Sequence, residues 1–369
     1  MRFPEFSGEW EEEQLDSIAT LSKGIGISKE QLSEDGEPCI LYGELYTKYK
    51  SEIIKQVESK TDIDCSKLKR SKANDVIIPC SGETAVDIAT ARCVPFDNIL
   101  LGGDLNIISL HKYDGAFMSY QLNGKRKYDI ARVAQGVSVV HLYGEHLKAI
   151  KTYNPSLPEQ QKIAKLLSLI DERIATQNKI IEKLESLIRG IYKTLLGESD
   201  QYRYLDELCE IKKGVQVNKE ELSEKGLYYV MNGGITPSGY YDLYNTEANT
   251  ISISEGGNSC GYVQYNYTPF WSGGHCYTLE NISDVVDDRY LFHYLKANEL
   301  QIMSLRIGSG LPNIQKKDLS AFRIPLPALN KQINIAKALD ALLYKITVDK
   351  NIYSTYKQQK EYLLQQMFI

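Results

Sequence analysis

Five histidines, seven cysteines and scattered carboxylates are the residues here whose chemistry could be catalytic. Of the histidines His111, His141, His146, His275 and His293, only His141 and His146 are close, and a spacing of i, i+5 does not place both on one helical face as a metalloprotease pair requires. The cysteines Cys39, Cys65, Cys80, Cys93, Cys209, Cys260 and Cys276 are odd in number and contain no C-x-x-C, so zinc coordination and a disulfide framework are both disfavoured. An adenine methyltransferase needs Asn/Asp-Pro-Pro-aromatic to hold the target amino group. The nearest string, NPSL at 154–157, lacks the second proline and the aromatic residue and reads as punctuation before a helix. No G-x-x-x-x-G-K-[ST] loop is present, and GGNSCG at 256–261 lacks dinucleotide-binding spacing and reads as a turn between strands. Asp62 and Asp64 are not a nuclease signature. No catalytic residue and no metal ligand is assigned.

The residues that recur in a pattern are structural. LDSIATLSKGIGISKEQLSEDG from Leu15 aligns with LDELCEIKKGVQVNKEELSEKG from Leu205 at an offset of 190, with Gly24/Gly214 and Gly36/Gly226 coincident. Further on the offset is 172, pairing Gly136 with Gly308, Leu142 with Ile314 and Leu147 with Leu319. A repeat this long is a duplicated domain. Between the repeats, residues 157–197 carry a heptad seam: Ile163, Leu167, Ile170, Ile174, Gln177, Ile181, Leu184, Ile188, Ile191 and Leu195. Adding 172 gives Ile335, Leu339, Leu342, Ile346, Asp349, Tyr353, Tyr356, Lys360, Leu363 and Met367. The polar break recurs, Gln177 against Asp349, and Lys360 is a second break expected to weaken that end.

The order is therefore globular, helix, globular, helix. Within the globular parts, NDVIIPCSGET, NTISISEGGNSCGYVQYNYTPF and WSGGHCYTL have short-strand chemistry with frequent turns, and 287–305 is helical. The fold class is α+β: two tandem strand-rich domains and two long helices forming an antiparallel coiled coil, related by a pseudo-two-fold duplication. Expected boundaries are 1–154, 155–198, 199–326 and 327–369. Antiparallel pairing would put the domains at opposite ends of a rod, with Gln177 and Asp349 as a register-setting polar layer. At ~1.5 Å per residue the first seam is about 50 Å long. A net charge of −5 argues, taken alone, against a nucleic-acid binder, although charge is segregated into clusters at Lys67, Lys69, Arg70 and Lys72, at Lys125, Arg126 and Lys127, and at Lys316 and Lys317. No apolar run reaches the ~18–20 residues of a membrane helix, and the acidic start has no signal core, so a cytoplasmic location is expected.

With these elements in place, the chain resembles the specificity subunit of Type I restriction–modification enzymes. The resemblance is carried over essentially its whole length by the helix starts NPSLPEQQKIAKLL and LPALNKQINIAKALDALL, each after a G-x(5)-[LI]-x(4)-L stretch, by RFPEFSGEWEEEQL, by LYGELYTKY at 41–49, and by SEGGNSCGYVQY and PFWSGGHCYTL. The second helix start departs from the first, with Lys331–Gln332 for Glu159–Gln160, read here as a change of surface charge. The resemblance implies two target recognition domains, each reading half of a split double-stranded DNA sequence. It also implies helices that set the unread gap and dock two methyltransferase subunits. Those partners carry S-adenosylmethionine, and motor-nuclease restriction subunits carry ATP and Mg; this chain would hold no cofactor and perform no chemistry. A rod of about 50 Å matches about 14 base pairs at ~3.4 Å each.

Base edges are read by polar side chains on accessible loops, and phosphates by basic ones. In the first domain the candidates are Tyr42, Glu44, Tyr46, Thr47, Lys48, Tyr49, Ser81, Glu83 and Thr84. In the second they are Asn232, Thr236, Ser238, Tyr240, Asn258, Ser259 and His275. Lys69, Arg70, Lys125, Arg126 and Lys127, with Lys67 and Lys72, are candidates for phosphate contact. Two other classes fit the same architecture: a two-headed scaffold that binds protein or glycan, distinguished by the absence of a methyltransferase partner, and a self-sufficient DNA-modifying enzyme, which the missing motifs disfavour.

Overall fold

The computed structural model describes residues 2–196, 199–308, 310 and 312–368, with only the backbone of Leu195, the last position of the first seam. The chain forms two compact units, Met1–Lys179 with Asn351–Ile369, and Ile180–Lys350. Both are built on one plan.

In the first unit the strands that matter are β1 (Ala19–Lys23), β2 (Glu37–Ile40), β3 (Asp75–Pro79), β4 (Arg92–Val94), β5 (Leu100–Leu101) and β6 (Leu105–Leu110). In the second they are β7 (Glu210–Lys213), β8 (Tyr228–Met231), β9 (Thr250–Ser254), β10 (Val263–Asn266), β11 (Trp271–Ser272) and β12 (Cys276–Glu280). The first sheet runs β1-β6-β3-β4, the second β7-β12-β9-β10, and every neighbour is antiparallel. A short parallel pair accompanies each sheet, β2 with β5 and β8 with β11. One middle strand of each sheet is buried along its whole length, DVIIP in β3 and TISIS in β9, so Asp75, Thr250, Ser252 and Ser254 lie inside together with the apolar positions.

A helix then packs on each sheet: α1 (Gly115–Asn123) and, in the second unit, α3 (Asp288–Ala297). Asp114 caps α1 by accepting from the Phe117 amide at 2.7 Å, and Asp287 caps α3 by accepting from Tyr290 at 2.8 Å. The stretch 287–305 is two helices, because Asn298 ends α3 before Glu299–Ser304 begins. Apolar side chains from sheet and helix close each core, for example Ile78, Ile108, Met118 and Leu122 in the first unit and Ile251, Ile253, Leu291 and Leu295 in the second.

The long helices are α2 (Leu157–Leu195) and α4 (Leu329–Gln366). Each starts against its own domain through one buried glutamine. Gln160 accepts from the Asp114 amide at 2.9 Å and donates to the Pro155 carbonyl at 2.7 Å; Gln332 accepts from the Asp287 amide at 2.9 Å and donates to the Pro327 carbonyl at 2.8 Å. Glu159 beside it corrects the expectation of a surface charge. It is fully buried and takes the Arg2 guanidinium in a two-pronged bond, both contacts at 2.7 Å.

The seams pair with opposite polarity inside each unit. In the first, Ile163, Leu167 and Ile170 from the start of α2 bury against Leu363 and Met367 from the end of α4. In the second, Leu184, Ile188 and Ile191 from the end of α2 pack with Ile335, Leu339, Leu342 and Ile346 from the start of α4. Burying a side chain of this size stabilises by roughly 1.5–3 kcal/mol. Gln177 and Asp349 are buried too, each in its own unit, and Asp349 takes Lys345 from one turn earlier at 2.9 Å. Lys360 is not the weak point its charge suggested. Its ammonium lies 2.5 Å from Glu52 and 2.6 Å from Asp171, both carboxylates nearly inaccessible.

Candidate nucleic-acid interface

In the first unit three loops leave one end of the strands: 41–48 after β2, 80–84 after β3, and Gly102–Asp104 between β5 and β6. Their approach is close because Gly24 and Gly102 have no side chains; a Cβ at Gly24 would stand 1.9 Å from the Gly102 carbonyl oxygen. The Tyr46 hydroxyl donates to the Ser81 carbonyl at 3.0 Å, tying the first loop to the second. The first two of these loops, with Arg92 of β4, line a cleft of about 710 Å³ that includes Tyr42, Tyr46, Thr47, Ser81 and Glu83. Five candidates from two separate stretches of sequence thus share one cleft.

Others in that set are turned inward. Glu44 is buried, accepts from the Leu41 amide at 2.9 Å and from the Ser59 hydroxyl, and pairs with Lys48 at 2.7 Å. Tyr49 is buried as well, and burial pushes its phenol up. These two side chains hold the loop from beneath, and the candidate set is corrected to leave them out. Thr84 is spent on the local backbone, capping Ala85–Ile88 through the Asp87 amide at 3.1 Å.

The basic candidates separate. Lys69, Arg70 and Lys72 line a hollow with Thr20, Ser22 and His111, but Arg70 is committed to Glu37 at 2.5 and 2.9 Å. Lys125, Arg126 and Lys127 follow α1, beside Gly124, whose added Cβ would meet the Leu364 carbonyl oxygen of α4 at 3.1 Å. Arg126 lies over the Tyr153 ring and 3.4 Å from Asp129, leaving Lys125 the exposed cation of the three.

The second unit repeats the arrangement. Loops follow β8 (Asn232 onward) and β9 (Glu255 onward), and Gly273–His275 joins β11 to β12. The Asn232 side-chain oxygen accepts from the His275 amide at 3.1 Å, and the Ser254 hydroxyl donates to the Gly233 carbonyl at 2.7 Å. Thr236, Ser238, Tyr240 and Asn258 are exposed along these loops, and Ser259 sits in the turn that its carbonyl closes with the Tyr262 amide. The His275 side chain is 64% exposed.

Backbone bonds show the match to be position by position. Gly102 donates to Ile40 and Gly273 to Met231; Ile25 donates to Leu101 and Val215 to Ser272; Cys80 donates to Asp104 and Glu255 to His275. Sequence reasoning missed Arg92, Asp104 and Glu255. The available signal was LGGDL at 101–105 against SGGHC at 272–276, which puts Asp104 where His275 stands. Glu255 is buried, with one oxygen bonded to Lys213 at 2.6 Å and Tyr277 at 3.1 Å. Its other oxygen lies 3.7 Å from His275 Nδ1 and has no hydrogen-bond partner among the described residues.

The fold and these loops define a class: a duplicated α+β chain presenting matched polar loops from two like units, each joined to the same pair of long helices. The family described as Type I restriction modification DNA specificity domain matches twice, over residues 7–186 and 199–357. A crystal structure of a Type I restriction-modification S subunit from M. genitalium covers 100% of this chain and 97% of its own, with TM-score 0.74 and 20% identity. A structure from work on assembly and conformational transition of the type I R-M system covers 98% and 97%, with TM-score 0.56 and 15% identity. Among sequences, a Mycoplasma pneumoniae protein named as a type I specificity subunit is 38% identical over 144 residues, 38% of each chain. The MjaVIII specificity subunit of Methanocaldococcus jannaschii is 39% identical over 83 residues, 22% of this chain and 20% of its own. The chain belongs to the Type I restriction modification DNA specificity family. Its matches to the first curated relatives span under two fifths of their length. Among the described residues no helix is long and apolar enough to cross a membrane.

Proposed function

We propose that this chain is the DNA-reading subunit of a Type I restriction–modification complex and performs no chemistry itself. The observation that carries the reading is the matched loop convergence. Two units of one fold present polar side chains from equivalent strand ends, which suits two half-sites separated by an unread gap. Residues 1–154 and 199–326 are the reading domains, and the helices of 155–198 and 327–369 set the gap and dock two methyltransferase subunits. Adenine methylation uses S-adenosylmethionine on those partners, cleavage uses ATP and Mg on restriction subunits, and the complex works in the cytoplasm. Tyr42, Tyr46, Thr47, Ser81 and Glu83 serve one half-site. Asn232, Thr236, Ser238, Tyr240, Asn258, Ser259 and His275 serve the other. Lys67, Lys69, Lys72, Lys125 and Lys127 are left for phosphates.

The test is methylome sequencing of cells that make this subunit with its partners. The expected result is one bipartite motif with a fixed gap; scattered or absent methylation overturns the reading. Four residues added to α2 are expected to change the allowed gap or abolish modification while each half-site stays the same. An unchanged motif and gap would remove the helices' measuring role. The net charge of −5 further leads us to expect weak DNA binding by the isolated chain, with steep salt dependence only in the assembled complex.

A further inference from the structure

We infer, resting on the DNA-reading function above, that residues 104 and 275 are the matched specificity positions of the two units: Asp104 selects cytosine and His275 selects guanine. Both residues follow Gly-Gly between a strand of the parallel pair and a strand of the main sheet. Both have their carbonyl held by the amide just past the central strand, Cys80 at 2.7 Å and Glu255 at 2.9 Å. The carbonyl is therefore anchored alike in both units, while the side chain differs and, of the two, only Asp104 takes a left-handed φ. Asp104 adopts a left-handed φ of 59°, is exposed, and accepts from the Ser81 hydroxyl at 3.3 Å, beside the cleft. The His275 imidazole is exposed beside Asn232.

The chemistry of the pair is opposite. A carboxylate offers only acceptors. In the major groove cytosine presents an amino donor without an adjacent acceptor, whereas adenine adds N7, and guanine and thymine present acceptors. Asp104 therefore favours cytosine. In the second unit the carboxylate sits one layer deeper, at Glu255, with an unpartnered buried oxygen facing His275 Nδ1. As an imidazolium paired with the Glu255 carboxylate, the ring donates from Nδ1 to Glu255 and turns its second donor, Nε2–H, towards the O6 or N7 acceptor of guanine. Glu255 acts through His275 and is a positioning residue.

The experiment is methylome sequencing of cells producing the complete complex with wild-type chain, Asp104→Asn, His275→Asp or Glu255→Gln. Asparagine tolerates the left-handed φ and pairs with adenine, so Asp104→Asn is expected to change one cytosine to adenine in one half-site by roughly ten-fold in preference. His275→Asp is expected to change one guanine to cytosine in the other half-site. Glu255→Gln is expected to weaken the preference for that same guanine without touching any other position, which a merely structural role would not do. Where His275→Asp lowers the melting temperature of the complex, His275→Gln replaces it, with guanine changing to adenine. Unchanged motifs, changes in the same half-site for Asp104 and His275, or lost methylation with no altered base overturn the inference. A wild-type complex that yields no bipartite motif instead overturns the reading on which it rests.

Discussion

The two junctions between domain and helix share their backbone bonds and differ in their charges. In the first unit the Tyr120 hydroxyl on α1 donates to Asp171 on α2 at 2.6 Å, and Lys360 of α4 joins Asp171 to Glu52. In the second unit His293, at the matching place on α3, meets Asp340 at 2.8 Å, and Arg289 clamps the same carboxylate. Both carboxylates lie on the helix that leaves the domain. The first cluster is deep, with side chains of Lys360 14%, Glu52 8% and Asp171 6% exposed, whereas Asp340 is 35% exposed. Desolvation raises Glu52 above the ordinary carboxylate range. Burial also pulls against Asp340, yet Arg289 and His293 hold it below that range. The glutamine clips Gln160 and Gln332, by contrast, are the same in both units. A buried backbone amide always requires an acceptor, so the clip repeats. A buried charge requires only some opposite charge, so its identity is free to differ.

This contrast can be broken at its strongest point first. Lys360→Ala leaves two carboxylates buried without their cation and is expected to cost about 3–5 kcal/mol in urea unfolding. The combined Glu52→Gln, Asp171→Asn, Lys360→Met chain is expected to regain more than half of that. A loss no larger than that of a surface lysine would show that solvent reaches the cluster. Next, Gln160→Ala and Gln332→Ala each strand buried groups and are expected to cost about 1–3 kcal/mol. The two losses should agree within about 0.5 kcal/mol, the range over which independent effects add. A larger gap between them would mean that the clip is equivalent only in outline.

The smallest effect is expected from Asp340→Asn, about 1 kcal/mol or less because solvent screens a partly exposed pair. Its pH dependence has a definite sign. A depressed carboxyl stabilises above the unfolded value near 3.9 and loses that contribution as pH falls through the lower folded value. The stability difference between wild type and Asp340→Asn is therefore expected to shrink towards acid, and urea titrations across about pH 2 to 6 check this. A difference that grows towards acid would remove Asp340 as the anchor of the second junction.

Much of the architecture was legible in the sequence. The heptad spacing of Ile163 to Ile188 and its echo from Ile335 to Met367 foretold both long helices, because a periodic apolar stripe is a local property. Gly24 and Gly214 were visible as a repeated pair, and the structure supplies the reason in the Gly102 and Gly273 carbonyls they must admit. The loop candidates were legible as types but not as a group. Tyr46 and Ser81 meet only because the loops after β2 and β3, strands of two different sheets, converge. Glu44 and Tyr49 look like their loop neighbours in sequence and are buried all the same, since nothing local states which side of a short helix faces the core. Glu159 and Lys360 were misjudged for the same reason, each taking its partner from far along the chain, Arg2 and Glu52.

By itself the sequence determined the duplication, the class of each element, the long helices and the want of catalytic motifs. All of these rest on spacing between neighbours or on the comparison of one stretch with another. Tertiary structure alone decided which charges are buried, which loop residues share a cleft, and that the carbonyls of Asp104 and His275 are held by matching amides. Burial and convergence depend on contacts between distant segments, and Lys360 reaches Glu52 across 308 residues of chain. Local patterns carry no information about a partner that only the folded sheet brings within hydrogen-bonding distance.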